Sequence, residues 1–256
     1  MSDLVYQNEI IKKDIECVLF DKDGTLIDIH NYWCSMIALR ANFIFNRLAP
    51  SYAHRENFIV DLIELMGVDH KKKLMKPEGP VGIKPREYII RIVTKKLQSL
   101  KINAAEDLVS SIFKEVDKYS ELHLKDFVKL LPGVRNFLDA LKSKDVSINI
   151  VSTDITSRAV KSIKCLKLED YFDNILGGDS VRNVKPNPEI ANKIIRKIGC
   201  NPEKCVVIGD HPVDILMGDR ANVGLSIAVC NGISPRSAFK NLPCKIVKNL
   251  ELMTVN

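Results

Sequence analysis

The sequence predicts an α/β protein: a parallel-sheet core with helices on both faces, interrupted by one inserted all-helical unit. Two observations carry this. Five short apolar runs alternate with segments of helical length and periodicity, the signature of βαβ units. The alternation breaks once, between Asp28 and about Lys129, where helical periodicity continues with no convincing strand. A chain of 256 residues is long enough for a large core and a smaller unit. The expected division is residues 1–27 with 128–256 as the core and 28–127 as the insert.

The first strand is expected at Ile15–Phe20. Before it, Met1 to Asp14 alternates polar and apolar residues and lacks a signal-peptide core. No apolar run approaches the roughly 18 residues of a membrane span, so a cytoplasmic location with no membrane partner is expected. In the insert, helical patterns run over Ile37–Leu48, Arg55–Met66, Pro85–Leu100 and Ala105–Leu122. Loops fall at Pro50-Ser51, over Lys76–Gly82 and near Asn103. The chain returns to the core at Leu131-Pro132-Gly133. Strands at Val146–Val151, Asn174–Leu176, Lys204–Ile208 and Leu225–Val229 then alternate with helices at Val134–Lys144, Thr156–Leu166, Pro188–Ile198 and Pro212–Ala221. Right-handed crossovers largely fix the winding. Two chain connections make a hinge plausible, so the insert is expected to act as a lid.

The formal charge is +6. Ten lysines and arginines against two glutamates between Lys71 and Lys101 exceed that total, so the remainder is slightly acidic. Such a stretch either steers an anionic substrate or forms a solvated helix face, and Lys71-Lys72-Lys73 is expected to be a solvated helix end. Seven cysteines at scattered positions, without a Cys-x-x-Cys pair, are expected to be reduced thiols.

The chemistry concentrates at predicted strand ends. In Val18-Leu19-Phe20-Asp21-Lys22-Asp23-Gly24-Thr25 an apolar run ends in two aspartates one residue apart. Carboxylates there are costly unless they bind a cation or do chemistry. Ligands bind beyond the carboxyl ends of parallel strands. Gly24 allows a sharp turn, and Thr25 can hydrogen-bond an anion or the turn. Ser152-Thr153 closes a second strand, Lys185 lies in the loop after a third, and Gly209-Asp210 with Asp214 closes a fourth. Each has a bland alternative: Asp and Ser as helix caps, Lys185 as a surface residue, Asp214 on an exposed helix face. Lys22, by period-two alternation, is expected to be structural or solvent-facing, with its amide available to phosphate. His211 is expected to be a loop histidine, not a ligand.

Taken in order, Asp21-Lys22-Asp23-Gly24-Thr25, Ser152, Lys185 and Gly209-Asp210-His211-Pro212-Val213-Asp214 resemble the haloacid dehalogenase superfamily on its phosphatase side. The stretches Leu131-Pro132-Gly133-Val134 and Lys185-Pro186-Asn187-Pro188-Glu189 resemble the phosphoglycolate-phosphatase-like branch, although the insert is longer than is usual there. The resemblance covers about residues 15–27 and 130–250 and implies a Rossmann-like core with a helical cap.

The resemblance further implies a magnesium-dependent phosphatase acting through an aspartyl-phosphate. Asp21 would be the nucleophile, and Asp23 the acid and then the base. Asp21, Asp210 and the backbone carbonyl of Asp23 would hold Mg2+. Asp214 would either ligate that ion or hold Lys185. Lys185 and Ser152 would bind the phosphoryl group, together with amides near Lys22, Asp23 and Thr153 and with Gly24 and Thr25. A dehalogenase expels halide and needs no proton, so Asp23 speaks for phosphoryl transfer.

Recognition of the leaving group falls to the insert, with His30, Asn31, Trp33 and the loop Glu78–Lys84 with Arg86 as candidates. Lys84 is the preferred anion-recognising residue, and Trp33 is expected to be a hinge or core aromatic. The expected partner is a small phosphorylated metabolite: phosphoglycolate-like, a sugar phosphate or a nucleotide monophosphate. A phosphomutase on the same core is the alternative. A non-catalytic phosphate- or nucleic-acid-binding protein is disfavoured by the intact acids and by the lack of aromatics interleaved with the basic residues.

Overall fold

The structure is a computed structural model describing residues 2–81 and 84–256. Its strands are β1 (Leu4–Tyr6), β2 (Glu9–Lys12), β3 (Cys17–Phe20), β4 (Val68–Asp69), β5 (Leu74–Met75), β6 (Ser147–Val151), β7 (Asn174–Leu176), β8 (Cys205–Gly209), β9 (Leu225–Val229), β10 (Lys245–Val247) and β11 (Met253–Val255). Its helices are α1 (Ile29–Leu48), α2 (Arg55–Leu65), α3 (Arg86–Ser99), α4 (Glu106–Leu122), α5 (Leu124–Phe127), α6 (Val134–Lys142), α7 (Thr156–Cys165), α8 (Glu189–Ile198) and α9 (Pro212–Arg220). The chain divides into two compact units, Met1–Ile29 with Val128–Asn256, and His30–Phe127. The observed breaks thus fall at Ile29/His30 and Phe127/Val128.

The larger unit is built on a six-stranded parallel sheet in the order β10-β9-β8-β3-β6-β7. β3 is central and reads Cys-Val-Leu-Phe because all four residues are buried, as expected for a strand covered on both faces. Phe20 meets Phe137 of α6 edge-to-face, with ring centroids 5.9 Å apart. On the other face Cys17 and Leu19 pack with Ile190 and Ile194 of α8 and Met217 of α9. Register places the site: Phe20 pairs with Ile150 of β6 and with Ile208 of β8. The residues following these three strands therefore emerge side by side, at the point where successive crossovers leave β3 in opposite directions.

The same unit carries a second sheet that the sequence did not announce, antiparallel in the order β11-β1-β2. The β1–β2 hairpin turns through Gln7 and Asn8, both left-handed at φ 52° and 66°, the conformation a two-residue hairpin turn requires. β10 also extends the main sheet beyond the expected strands.

The smaller unit is not all-helical, which corrects the expectation. β4 and β5 form an antiparallel hairpin, Val68↔Met75 and Asp69↔Leu74. Two residues per strand are too few to register as alternation in a sequence. Lys71-Lys72-Lys73 lies in the connection of this hairpin, not at a helix end. The unit's core includes Ile37, Ile44, Leu62, Val93, Leu97 and Phe113, each 1 % exposed or less. Among them lies a buried cation: Arg40 faces the Phe113 ring at 4.6 Å and donates to Asp117 at 3.2 Å. Arg86 also donates to Asp117. Among the described residues, no helix is long and apolar enough to cross a membrane.

Candidate active site

β3 delivers Asp21, whose N–H donates to Ile208 of β8 at 2.8 Å and so extends the sheet pairing by one residue. The chain then turns through Gly24, at φ 86°, a conformation that favours glycine. The amides of Leu26 and Ile27 both donate to the Lys22 carbonyl at 3.0 Å and close the turn. β6 delivers Ser152, 2 % exposed, whose Oγ accepts from the Asp154 amide at 3.1 Å. β8 delivers Asp210, and α9 delivers Asp214 in its first turn.

These elements bring Asp21, Asp210 and Asp214 together, all buried, with carboxylate oxygens within 4.8 Å of one another. Lys185 reaches in from the loop before α8. Its Nζ donates to Asp21 Oδ1 and to Asp214 Oδ1, both at 2.7 Å. The other oxygen of Asp214 accepts from the His211 amide at 3.0 Å. His211 caps α9, with its Nδ1 accepting from the Val213 amide. Asp214 thus holds Lys185 and also stands in the acidic cluster, a position compatible with both roles considered for it.

Two glycines make room for Asp210. A Cβ at Gly24 or at Gly232 would land on the Asp210 carboxylate, so both backbones lie against it. Gly232, in the loop after β9, was missed by sequence reasoning. Its only signal is an Asn-Gly pair just beyond a strand.

The charges are unbalanced. Three buried carboxylates face one ammonium, and like charges about 4 Å apart repel by roughly 4 kcal/mol at an effective dielectric near 20. Burial foremost, then Asp214, pushes the Asp21 carboxyl up to about 7, although Lys185 opposes this. Asp210 is pushed well above the usual carboxylate range by burial and by both neighbouring acids. Lys185 remains charged despite burial because Asp21 and Asp214 hold its proton. An oxygen-only donor set short of positive charge, cradled by glycine backbone, fits a hard divalent cation such as Mg2+.

Asp23 is not part of this trio. Its carboxylate, 29 % exposed, accepts from Lys22 Nζ through both oxygens, at 2.7 and 2.6 Å. Lys22 is buried, which corrects the solvent-facing alternative. Strand alternation stops at Phe20, and the turn carries the Lys22 side chain inward to Asp23 and to Asp154 at 3.4 Å. Asp154 is the second residue that sequence reasoning missed. Thr25 is wholly buried, and its Oγ1 has no hydrogen-bond partner among the described residues. Thr153 is exposed.

The candidates of the helical unit find partners within that unit. Asn31 donates to the Phe127 carbonyl at 2.7 Å and ties the two ends of the unit. His30 Nδ1 accepts from the Met75 amide. Trp33 packs with Met36, Val116 and Phe127 as a core aromatic. Lys84 is exposed, 6.0 Å from the Tyr88 ring. Of the loop Glu78–Lys84, Gly82 and Ile83 lie outside the described residues.

Residues 15–222 match the family model of haloacid dehalogenase-like hydrolases. The chain belongs to the haloacid dehalogenase-like hydrolases. Among curated relatives, this hydrolase is 28 % identical over 214 residues to pyrophosphatase PpaX of Halalkalibacterium halodurans, covering 84 % of this chain and 83 % of the relative. It is 31 % identical over 174 residues to phosphoglycolate phosphatase of Aquifex aeolicus, covering 64 % and 82 %. It is 26 % identical over 242 residues to phosphorylated carbohydrates phosphatase of Thermotoga maritima, covering 94 % and 98 %. The fold is shared with β-phosphoglucomutase of Clostridium difficile, with a TM-score of 0.56, 21 % identity and coverage of 93 % and 92 %. As a member of this family, the chain is a hydrolase.

Proposed function

We propose that this hydrolase is a magnesium-dependent phosphatase that cleaves a small phosphorylated metabolite through an aspartyl-phosphate at Asp21. The observation that carries the reading is the Lys185 ammonium, 2.7 Å from Asp21 and anchored as well by Asp214. A carboxylate can attack an anionic phosphate ester only where positive charge offsets the repulsion, and this one is held and oriented by a buried cation.

Asp21 and Asp210 would hold Mg2+, with the Asp23 carbonyl as a third protein ligand. When bound, the ion supplies Lewis-acid stabilisation of the phosphoryl oxygens. The remaining work belongs to the chain's own side chains. An Asp21 oxygen attacks phosphorus, and the ester oxygen departs with a proton from Asp23. Water then attacks the phosphorus of the aspartyl-phosphate, giving its proton to Asp23 and releasing inorganic phosphate. Ser152 and the amides of the turn after β3 bind the phosphoryl oxygens, and Lys185 stabilises the charge that develops there. Each displacement is easier than direct hydrolysis.

The substrate reading is supported by the names of the relatives, which include phosphoglycolate and phosphorylated carbohydrates. A cytoplasmic setting belongs to the same reading, supported by seven free cysteines. The test is a screen of phosphorylated metabolites and pyrophosphate with Mg2+, with Asp21→Asn as blank. Turnover that survives that substitution, or that needs no divalent cation, defeats the proposal.

A further inference from the structure

Each aspartate of the motif has its own lysine. Asp21 is held by Lys185, while Asp23 is held by Lys22, the residue between the two acids. The second pairing is unusual in its setting. The Lys22 side chain is 4 % exposed, and burying an ammonium is costly unless it is well paired. An apolar residue would fill the position without that cost.

What the lysine adds is geometry. Its Nζ engages both oxygens of Asp23, a side chain exposed enough to sample other rotamers. It also faces Asp154 Oδ2 at 3.4 Å. Asp154 is fixed in turn, because its Oδ1 accepts from the Ile155 amide at 2.8 Å and from Arg158 at 3.0 Å. Two acids and two bases thus form a balanced chain, Arg158–Asp154–Lys22–Asp23. It couples the turn after β3 to the start of α7, directly beyond Ser152.

We infer that Lys22, steadied by Asp154, is a positioning residue that aims the Asp23 carboxyl for proton transfer to the leaving group. The inference rests on the proposed phosphatase reading. It differs from a purely structural ion pair in one respect. A structural pair supports all substrates alike, whereas an aiming device matters most where the leaving oxygen needs a proton.

The test compares kcat/KM for two probes with Mg2+. Phenyl phosphate releases phenol, whose pKa is near the tyrosine value of about 10. p-Nitrophenyl phosphate releases a far more acidic phenol and needs little protonation. Asp23→Asn should depress phenyl phosphate at least ten-fold more than p-nitrophenyl phosphate. Lys22→Met should reproduce that selectivity, and adding it to Asp23→Asn should change nothing further. If Asp23→Asn shows no selectivity, the phosphatase reading of Asp23 falls and the inference with it. If Asp23→Asn is selective while Lys22→Met lowers both probes equally, or adds to Asp23→Asn, the inference alone is overturned. Should Lys22→Met not fold, Asp154→Asn decides. A selective loss of about two- to ten-fold on phenyl phosphate supports the inference, and equal loss on both probes overturns it.

Discussion

Lys185 places its ammonium 2.7 Å from Asp21 Oδ1, with the lysine side chain 1 % exposed and the aspartate side chain 11 %. Two elements distant in sequence meet there: the end of the central strand and the loop before α8. Lys185→Met is predicted to lower kcat by about 10²–10³-fold, the usual loss when one preorganised donor is removed. Steady-state kinetics on a substrate from the screen measures it. A loss under three-fold would remove Lys185 from the chemistry.

The buried acids make stability depend on pH and metal together. With Asp21 held up to about 7 against an ordinary 3.8, the metal-free native state keeps a proton that the unfolded chain releases between those values. Stability therefore falls as pH rises through that window, by at most about 1.4 kcal/mol per pH unit for each such carboxyl. Asp210 acts in the same direction. In chelator, Tm is predicted to fall from pH 5 to pH 8. Mg2+, which favours the ionised acids, should raise Tm more at pH 8 than at pH 5. A Mg2+ shift independent of pH would contradict this.

Gly232→Ala introduces a Cβ where the Asp210 carboxylate lies. The expected outcome is at least ten-fold weaker Mg2+ binding by calorimetry, with a far-ultraviolet circular dichroism spectrum like that of the parent. Unchanged affinity would mean that Asp210 moves aside freely.

Asp117 pairs with both Arg40 and Arg86 in the smaller unit. Arg40 is 7 % exposed, so Asp117→Ala leaves a buried guanidinium without its counter-charge. The predicted cost is about 3 kcal/mol in urea unfolding. A change below 0.5 kcal/mol, on the scale of ordinary surface substitutions, would show that the pair is solvated.

Much of the core was legible because its signals are local. The run Cys17-Val18-Leu19-Phe20 announces a strand buried on both faces, and the acids at its end are chemically conspicuous. What escaped depends on distance or on backbone direction. β1 pairs with β11, Leu4 opposite Val255, across nearly the whole chain, and three residues per strand carry little pattern. The period-two alternation that would turn Lys22 toward solvent ends at Phe20, beyond which the Gly24 turn redirects side chains. Asp154 could not be singled out without knowing that Lys22 is buried. Asn31, which ties the ends of the helical unit, and Arg86, which pairs with Asp117, make contacts fixed by tertiary folding and invisible to local pattern.

The central claim is covalent catalysis at Asp21. It is tested by acid-quenching the Mg2+-loaded enzyme during turnover of a substrate from the screen, reducing with borohydride and mapping peptides. Homoserine is expected in place of aspartate at position 21, absent when substrate is omitted and absent in Asp21→Asn. Efficient turnover with position 21 unmodified, or a phosphorylated carboxyl at any other residue, would contradict it.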